Sequence, residues 1–307
     1  MRRLFSTLLF LIFCQPAVAQ SPEQIQIQFE LDGLERRFTL FTPENLDDFT
    51  GPRPLIVVIH GIASTDKLVI EKSSQTFNRL AAEFGFVVAY PNGLTRAWDL
   101  DEGIASSLLI PRRNDLKFIE QVIAVTAERV QVDSNRIFAA GFSLGGQMGF
   151  ALACKRPGLL RAIATVAMPL PGFLQDDCRT GPPLGVALFH GTDDAWVPYN
   201  GGTFPIGLRA RDNYLSHEHT VQYFLRRNGC DADLFETRFF DEKDDKTSVL
   251  QRSWTDCDDA PVISYTIIGG GHAWPPEKQV LGRPFVGRVS QEIDAAAQAW
   301  ALFQTFE

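Results

Sequence analysis

An α/β fold is predicted, with a mostly parallel central sheet, helices on both of its faces and an antiparallel hairpin at its start. Three observations carry that expectation. Short apolar runs rich in β-branched and aromatic residues recur at 55–59, 86–90, 136–140, 162–167, 186–189 and 262–268, as expected of strands covered on both faces. Segments with apolar residues at helical spacing separate many of these runs. Strands alternating with helices in this way imply parallel strands joined by crossover helices.

The first nineteen residues stand apart. Arg2 and Arg3 precede an apolar run from Leu4 to Phe13, and Ala17-Val18-Ala19 closes the segment. This is the pattern of a secretory signal peptide cleaved after Ala19. The apolar run falls short of the ~20 residues of a membrane span. Cys14 offers a lipoprotein alternative, opposed by the bulky Phe13 before it. The domain boundaries expected are therefore 1–19 for the signal and 20–307 for one catalytic domain, exported and soluble. The chain carries a net charge of −8, and loss of Arg2 and Arg3 makes the mature form more acidic still. With no basic run, nucleic acid and anionic membranes are poor partners. The pattern leaves the oligomeric state open.

The mature chain opens with alternation at Ile25-Gln26-Ile27-Gln28-Phe29 and again at Arg37-Phe38-Thr39-Leu40-Phe41, joined through an Asp32-Gly33 turn. Next comes the continuous run 55–59, ending in His60-Gly61-Ile62. One helix is expected from Lys67 to Phe84, stopped by Gly85. The strand at 86–90 is closed by Pro91-Asn92-Gly93. Leu116, Ile119, Ile123 and Ala127 give the next helix, over 114–130. Further on, a helix is expected at 217–227, the last strand at 262–268 and a closing helix at 290–303. The acidic stretch from Asp241 to Asp245 reads as a solvated loop.

Four cysteines remain after the signal, an even number suited to disulfides in an exported protein. They allow three pairings, and the sequence does not choose among them. Local pairing of Cys154 with Cys178 and of Cys230 with Cys257 is preferred. Each bond would close a loop of roughly 25 residues, worth about 3–4 kcal/mol in the chain-entropy model. Their spacing lacks the Cys-x-x-Cys or paired histidines of a metal site, and no metal or organic cofactor is expected.

The chemistry centres on Gly141-Phe142-Ser143-Leu144-Gly145-Gly146. This Gly-x-Ser-x-Gly lies between the run 136–140 and the helical stretch 147–153. Strand, sharp turn and helix form the context of a nucleophile elbow. Ligands of parallel α/β sheets bind beyond the carboxyl ends of strands. His60, Asp194 and His272 fall at such ends as well. A serine hydroxyl needs a base to take its proton, and the base needs a carboxylate to orient it. The order serine, acid, histidine is that of the α/β-hydrolases. Ser143 is read as nucleophile, His272 as base and then acid, and Asp194 as the orienting carboxylate, with Asp193 its competitor. His272 follows the flexible Gly269-Gly270-Gly271. The oxyanion needs two N–H donors, taken as Leu144 and Ile62. Trp98, Trp196 and Trp274 adjoin these segments; they would either wall an aryl or sugar pocket or pack behind the loops. His190 is read as bracing its loop through a ring hydrogen bond, while His217 and His219 fall on an apparent surface helix.

Several of these motifs resemble one family. His190-Gly191-Thr192-Asp193-Asp194, Val197-Pro198-Tyr199-Asn200-Gly201-Gly202 and Gly269-Gly270-Gly271-His272-Ala273-Trp274-Pro275 are similar to the polyhydroxybutyrate depolymerase and feruloyl esterase family, which includes the LpqC-type proteins and the carbohydrate esterase family 1 enzymes. Tyr90-Pro91-Asn92-Gly93, the elbow, Leu152-Ala153-Cys154 and Asn228-Gly229-Cys230 extend the likeness over most of the mature chain. The resemblance implies an α/β-hydrolase fold, Asp194 as the acid, and local cysteine pairing. It also implies a secreted serine ester hydrolase acting on feruloyl or acetyl esters of plant polysaccharide, or on polyhydroxyalkanoate. A serine peptidase of the same fold and a non-catalytic binding protein are the rival readings. The chain departs from the family pattern at Ala63-Ser64, where a second glycine is common, and at Leu144.

Overall fold

The computed structural model describes residues 23–100, 113–203, 213–277 and 286–306. The expected signal segment, its cleavage after Ala19 and Cys14 lie outside them. Strands β1 (Glu23–Leu31), β2 (Leu34–Thr42), β3 (Arg53–Ile59), β4 (Val87–Asn92), β5 (Val132–Phe142), β6 (Ala162–Val166) and β7 (Gly185–Gly191) come first. A short hairpin follows, β8 (Gly202–Thr203) with β9 (Asn213–Tyr214), then β10 (Glu236–Phe240), β11 (Ser248–Trp254) and β12 (Val262–Ile268). The main sheet runs β1-β2-β4-β3-β5-β6-β7-β12-β11-β10. From β4 to β12 its neighbours are parallel, and an antiparallel pair is added at each edge. The fold is that of an α/β-hydrolase.

The opening hairpin turns at Asp32 and Gly33, both at positive φ, and pairs Ile25 with Leu40 and Ile27 with Phe38. Strands β10 and β11 were not expected from sequence. They are the outermost on their edge, and β10 is exposed along most of its length, so it shows no buried alternation. The acidic 241–245 stretch lies in the connection between them.

Helices α1 (Asp66–Lys72), α2 (Thr76–Phe84), α3 (Asp115–Arg129), α4 (Leu144–Lys155), α5 (His217–Arg227) and α6 (Ala295–Phe303) cover both faces. The single helix expected over 67–84 is two. Ser74 and Gln75 adopt left-handed φ of 55° and break it. The closing helix starts later than position 290, because the Asp294 carboxylate caps it by accepting the Ala296 and Ala297 N–H groups.

Alternation along the strands divides the core in two. Leu55, Val57 and Ile59 of β3 pack with α3, α4 and α5 on one face. Ile56 and Val58 pack with α1, α2 and α6 on the other. Helix α4 is buried from Leu144 to Cys154, as a helix apolar all round should be. Disulfides join Cys154 to Cys178 and Cys230 to Cys257. The first ties the end of α4 to the loop after β6. The strand order reverses direction between β3 and β5, and that crevice is where open α/β sheets bind ligands.

Candidate active site

Ser143 sits at this switch point, where β5 turns into α4. Its φ of 53° and ψ of −120° are costly for a residue with a Cβ, and such strain persists only where the surroundings enforce it. They do so through two glycines. A Cβ on Gly141 would lie 2.2 Å from the Gly145 carbonyl oxygen, and one on Gly145 would lie 2.1 Å from that of Ile59. Only bare backbones let α4 start this close to the ends of β3 and β5. The Ser143 N–H donates to the Val166 carbonyl at 2.8 Å, which anchors the turn to β6.

His272 reaches the elbow from the loop after β12. Its backbone N–H donates to Val286, and Gly271 N–H donates to Arg288. Its Nδ1 stands 2.8 Å from Asp194 Oδ2 and its Nε2 stands 2.9 Å from Ser143 Oγ. A carboxylate only accepts, so Nδ1 carries the proton and Nε2 is free to accept the serine proton. Ser143 and Asp194 are buried, while the His272 side chain is 11% exposed. The Phe142 ring lies 5.1 Å from the imidazole on one side.

Asp194 is held from behind. Its Oδ1 accepts the N–H groups of Trp196 and Val197, each at 2.9 Å. His190 Nε2 donates to the Val197 carbonyl at 2.8 Å and lies 3.5 Å from Asp194 Oδ2. Burial alone would raise the Asp194 carboxyl; the charge of His272 and hydrogen bonds from His190 and His272 outweigh it and hold the group well below the usual carboxylate range. It is therefore ionised at neutral pH. Asp193 points elsewhere, exposed and 3.6 Å from Arg288.

The far side of the elbow is set by His60. Gly93 N–H donates to its Nε2 at 2.9 Å, so Nδ1 carries the proton and donates to the Gly61 carbonyl at 2.7 Å. A peptide unit is planar, so this bond fixes the direction of the Ile62 N–H. Gly61 packs on Ser143, and the next residue, Ala63, takes a left-handed φ of 58° while its N–H donates to Arg96. Among the described residues, no acceptor occupies the N–H of Ile62 or of Leu144. Leu144 opens α4, where the helix dipole favours negative charge.

The three tryptophans part company. Trp196 is partly exposed, with its ring 6.3 Å from that of His272. Trp98 and Trp274 have no exposed surface, so neither walls a pocket. Trp98 lies over His60, with ring centres 4.6 Å apart, and its Nε1–H donates to the His60 carbonyl at 2.7 Å. Trp274 packs against Phe77 and Phe142. His217 also differs from expectation. It is buried, with its Nε2 at 2.8 Å from Ser264 Oγ and its ring stacked on Tyr199, because the inward face of α5 includes its first residue. Its neighbour His219 is exposed. Sequence reasoning missed the buried cluster in which Asp115 accepts from Arg36 and Arg113. Among the described residues, no group of three His, Cys, Asp or Glu is placed to hold a metal ion.

The buried imidazoles predict acid lability. Burial pushes His60 down to about 4, against the Gly61 hydrogen bond and Asp66, and burial drives His217 well below its ordinary value. Between pH 6.5 and 4 the unfolded chain therefore takes up protons that the folded one refuses, and stability falls as pH falls. His60 alone accounts for about 3 kcal/mol across that window. Urea unfolding at pH 7, 5.5 and 4.5 checks this; an unfolding free energy flat over that range contradicts it.

Comparison with known proteins adds relatives to this geometry. The profile of the dienelactone hydrolase family matches residues 38–201, a span that holds Ser143 and Asp194 and stops before His272. Feruloyl esterase D of Neurospora crassa is 24% identical over 250 residues, covering 74% of this chain and 76% of that protein. Feruloyl esterase B of Piromyces equi is 27% identical over 251 residues, covering 79% of this chain but 44% of its relative. Among solved structures, an acetyl xylan esterase from Aspergillus awamori superposes with a TM-score of 0.57 at 17% identity, over 82% of this chain and 95% of that one. That last likeness is one of fold.

Proposed function

The chain belongs to the dienelactone hydrolase family, and from that premise we propose that it is an exported serine ester hydrolase acting on feruloyl or acetyl esters of plant polysaccharide. The observation that carries this reading is the hydrogen-bonded chain Asp194–His272–Ser143 at a strained elbow. Ser143 Oγ attacks the ester carbonyl carbon as its proton passes to His272 Nε2. The carbonyl oxygen becomes an oxyanion and takes hydrogen bonds from the Leu144 and Ile62 N–H groups. The bond to the alcohol oxygen then breaks, and His272 returns its proton to that oxygen. Water next attacks the acyl-serine, giving a proton to His272. The acid leaves and Ser143 recovers its hydrogen.

The names of the relatives support feruloyl esters. Trp196, the one of the three tryptophans with an exposed face beside His272, supports an aryl acyl group. Two disulfides suit an oxidising compartment and thus export.

The purified mature protein should hydrolyse methyl ferulate, p-nitrophenyl acetate and a feruloylated oligosaccharide, and should be labelled by a fluorophosphonate probe. Polyhydroxybutyrate oligomers and a peptide panel complete the set. Ester turnover no higher than that of Ser143→Ala protein sinks the reading; turnover confined to hydroxybutyrate or peptide moves the substrate class.

A further inference from the structure

A second cleft, of about 340 Å³, opens beside the acid loop, and its described lining is mostly polar. Asn200, Asn213, His219 and Arg226 face it with side chains that make no hydrogen bond or ion pair among the described residues, and no carboxylate lines it among those residues. Tyr223 stands between His219 and Arg226 on the same stripe of α5. Its hydroxyl donates to the Gln175 carbonyl, and that bond holds the ring in place. Around that hydroxyl, Arg179, Arg226 and Arg227 outnumber Asp176, which is itself bonded to Arg179. This is a cationic spot on a protein whose net charge is −8.

The cleft adjoins the site. Tyr214, a lining residue, donates from its hydroxyl to Gln147 Oε1 at 3.2 Å. Gln147 lies on α4 one turn beyond Ser143, about 6 Å along the helix axis. Asn200 follows the loop that carries Asp194. A polymeric alcohol part that ran from Ser143 along the acid loop would reach this cleft.

We propose that this cleft binds a carboxylate-bearing sugar, a uronate unit of the glycan whose ester reaches Ser143. The inference rests on the proposed esterase function. An unpaired guanidinium matches a carboxylate in plane and charge. Two carboxamides and an imidazole supply donors and acceptors suited to sugar hydroxyls. The Tyr223 ring offers an apolar face to the pyranose.

Titration calorimetry with the Ser143→Ala protein tests the cleft without turnover, using trigalacturonate and xylotriose as probes. Trigalacturonate should bind, xylotriose should bind at least about tenfold more weakly, and Arg226→Ala should weaken trigalacturonate about tenfold or more, the scale of one charge-assisted hydrogen bond. Tyr223→Ala should weaken it as well. Equal binding of the two trisaccharides, no binding of trigalacturonate at millimolar concentration, or unchanged affinity in Arg226→Ala overturns the proposal. Turnover of p-nitrophenyl acetate by the wild-type protein, against the Ser143→Ala control, reports separately on the ester reading. The two can therefore fail independently.

Discussion

Ser143→Ala should lower kcat on any accepted ester by a factor on the order of 10⁴–10⁶, the scale seen when a serine nucleophile is removed and its oxyanion site remains. KM should change little, because the hydroxyl contributes to attack and not to holding the ester. The variant should fold, since among the described residues the Ser143 side chain bonds only to His272. Asp194→Asn should cost about 10⁴ by leaving the imidazole without its acceptor at Nδ1. Retention of activity in either variant would remove Ser143 or Asp194 from the mechanism.

The same position makes a further, opposite-signed expectation about stability. A residue with a Cβ at φ 53° and ψ −120° stores strain, on the order of 1–3 kcal/mol in general. Ser143→Gly relieves it. That variant should be as inactive as Ser143→Ala and should melt higher than it. Thermal unfolding of the two side by side measures the strain directly; a glycine variant less stable than the alanine one would show that the turn is relaxed.

Much of this arrangement is legible in sequence, for physical reasons that also mark where reading stops. Strands buried on both faces need unbroken apolar runs, so β3, β4, β7 and β12 declare themselves. Edge strands need no such run, and β10, with Arg238 and Glu236 in solvent, is silent. The elbow announces itself because Gly141 and Gly145 must be bare for α4 to start where it does. Asp194 and His272 follow from strand ends, since a parallel sheet gathers its carboxyl ends on one edge. The burial of Trp98 and Trp274 could not be read, because adjacency in sequence to a site does not say which side of a loop a ring takes. His217 was hidden for a similar reason: a histidine beside Glu218 looks like a helix surface until Ser264 and Tyr199 are seen to enclose it. The cluster around Asp115 joins residues 79 positions apart, and no local spacing signals it.

That cluster carries the largest expected effect on stability. Asp115 is fully buried, and its carboxylate accepts from Arg36 at 2.5 Å, from Arg113 at 2.9 Å and from the Asp99 N–H at 2.7 Å. Arg36 also lies over the Phe118 ring, 3.7 Å from its centre. Burial pushes the Asp115 carboxyl up and the Arg36 guanidinium down, each against the pull of its partners. Desolvation thus consumes much of what the pairing returns, the usual balance of a buried ion pair. Removing one member does not restore that balance. Asp115→Ala takes the carboxylate away from two buried guanidiniums, and should cost about 3–5 kcal/mol and lower Tm by roughly 10 °C. By contrast, replacing Lys117 in its exposed pair with Asp32 should change stability by no more than about 0.5 kcal/mol. The loss should also reach the site. Arg113 donates to the Leu94 and Ala97 carbonyls, in the loop that leads to Trp98. Trp98 braces His60, and His60 aims the Ile62 N–H. At temperatures where Asp115→Ala remains folded, kcat should therefore fall while the Ser143–His272 contact persists, so fluorophosphonate labelling slows without vanishing. Denaturant unfolding with the Lys117 variant as reference checks the first part; an Asp115→Ala protein as stable as that reference would mean that the guanidiniums find water, and that the cluster is not sealed.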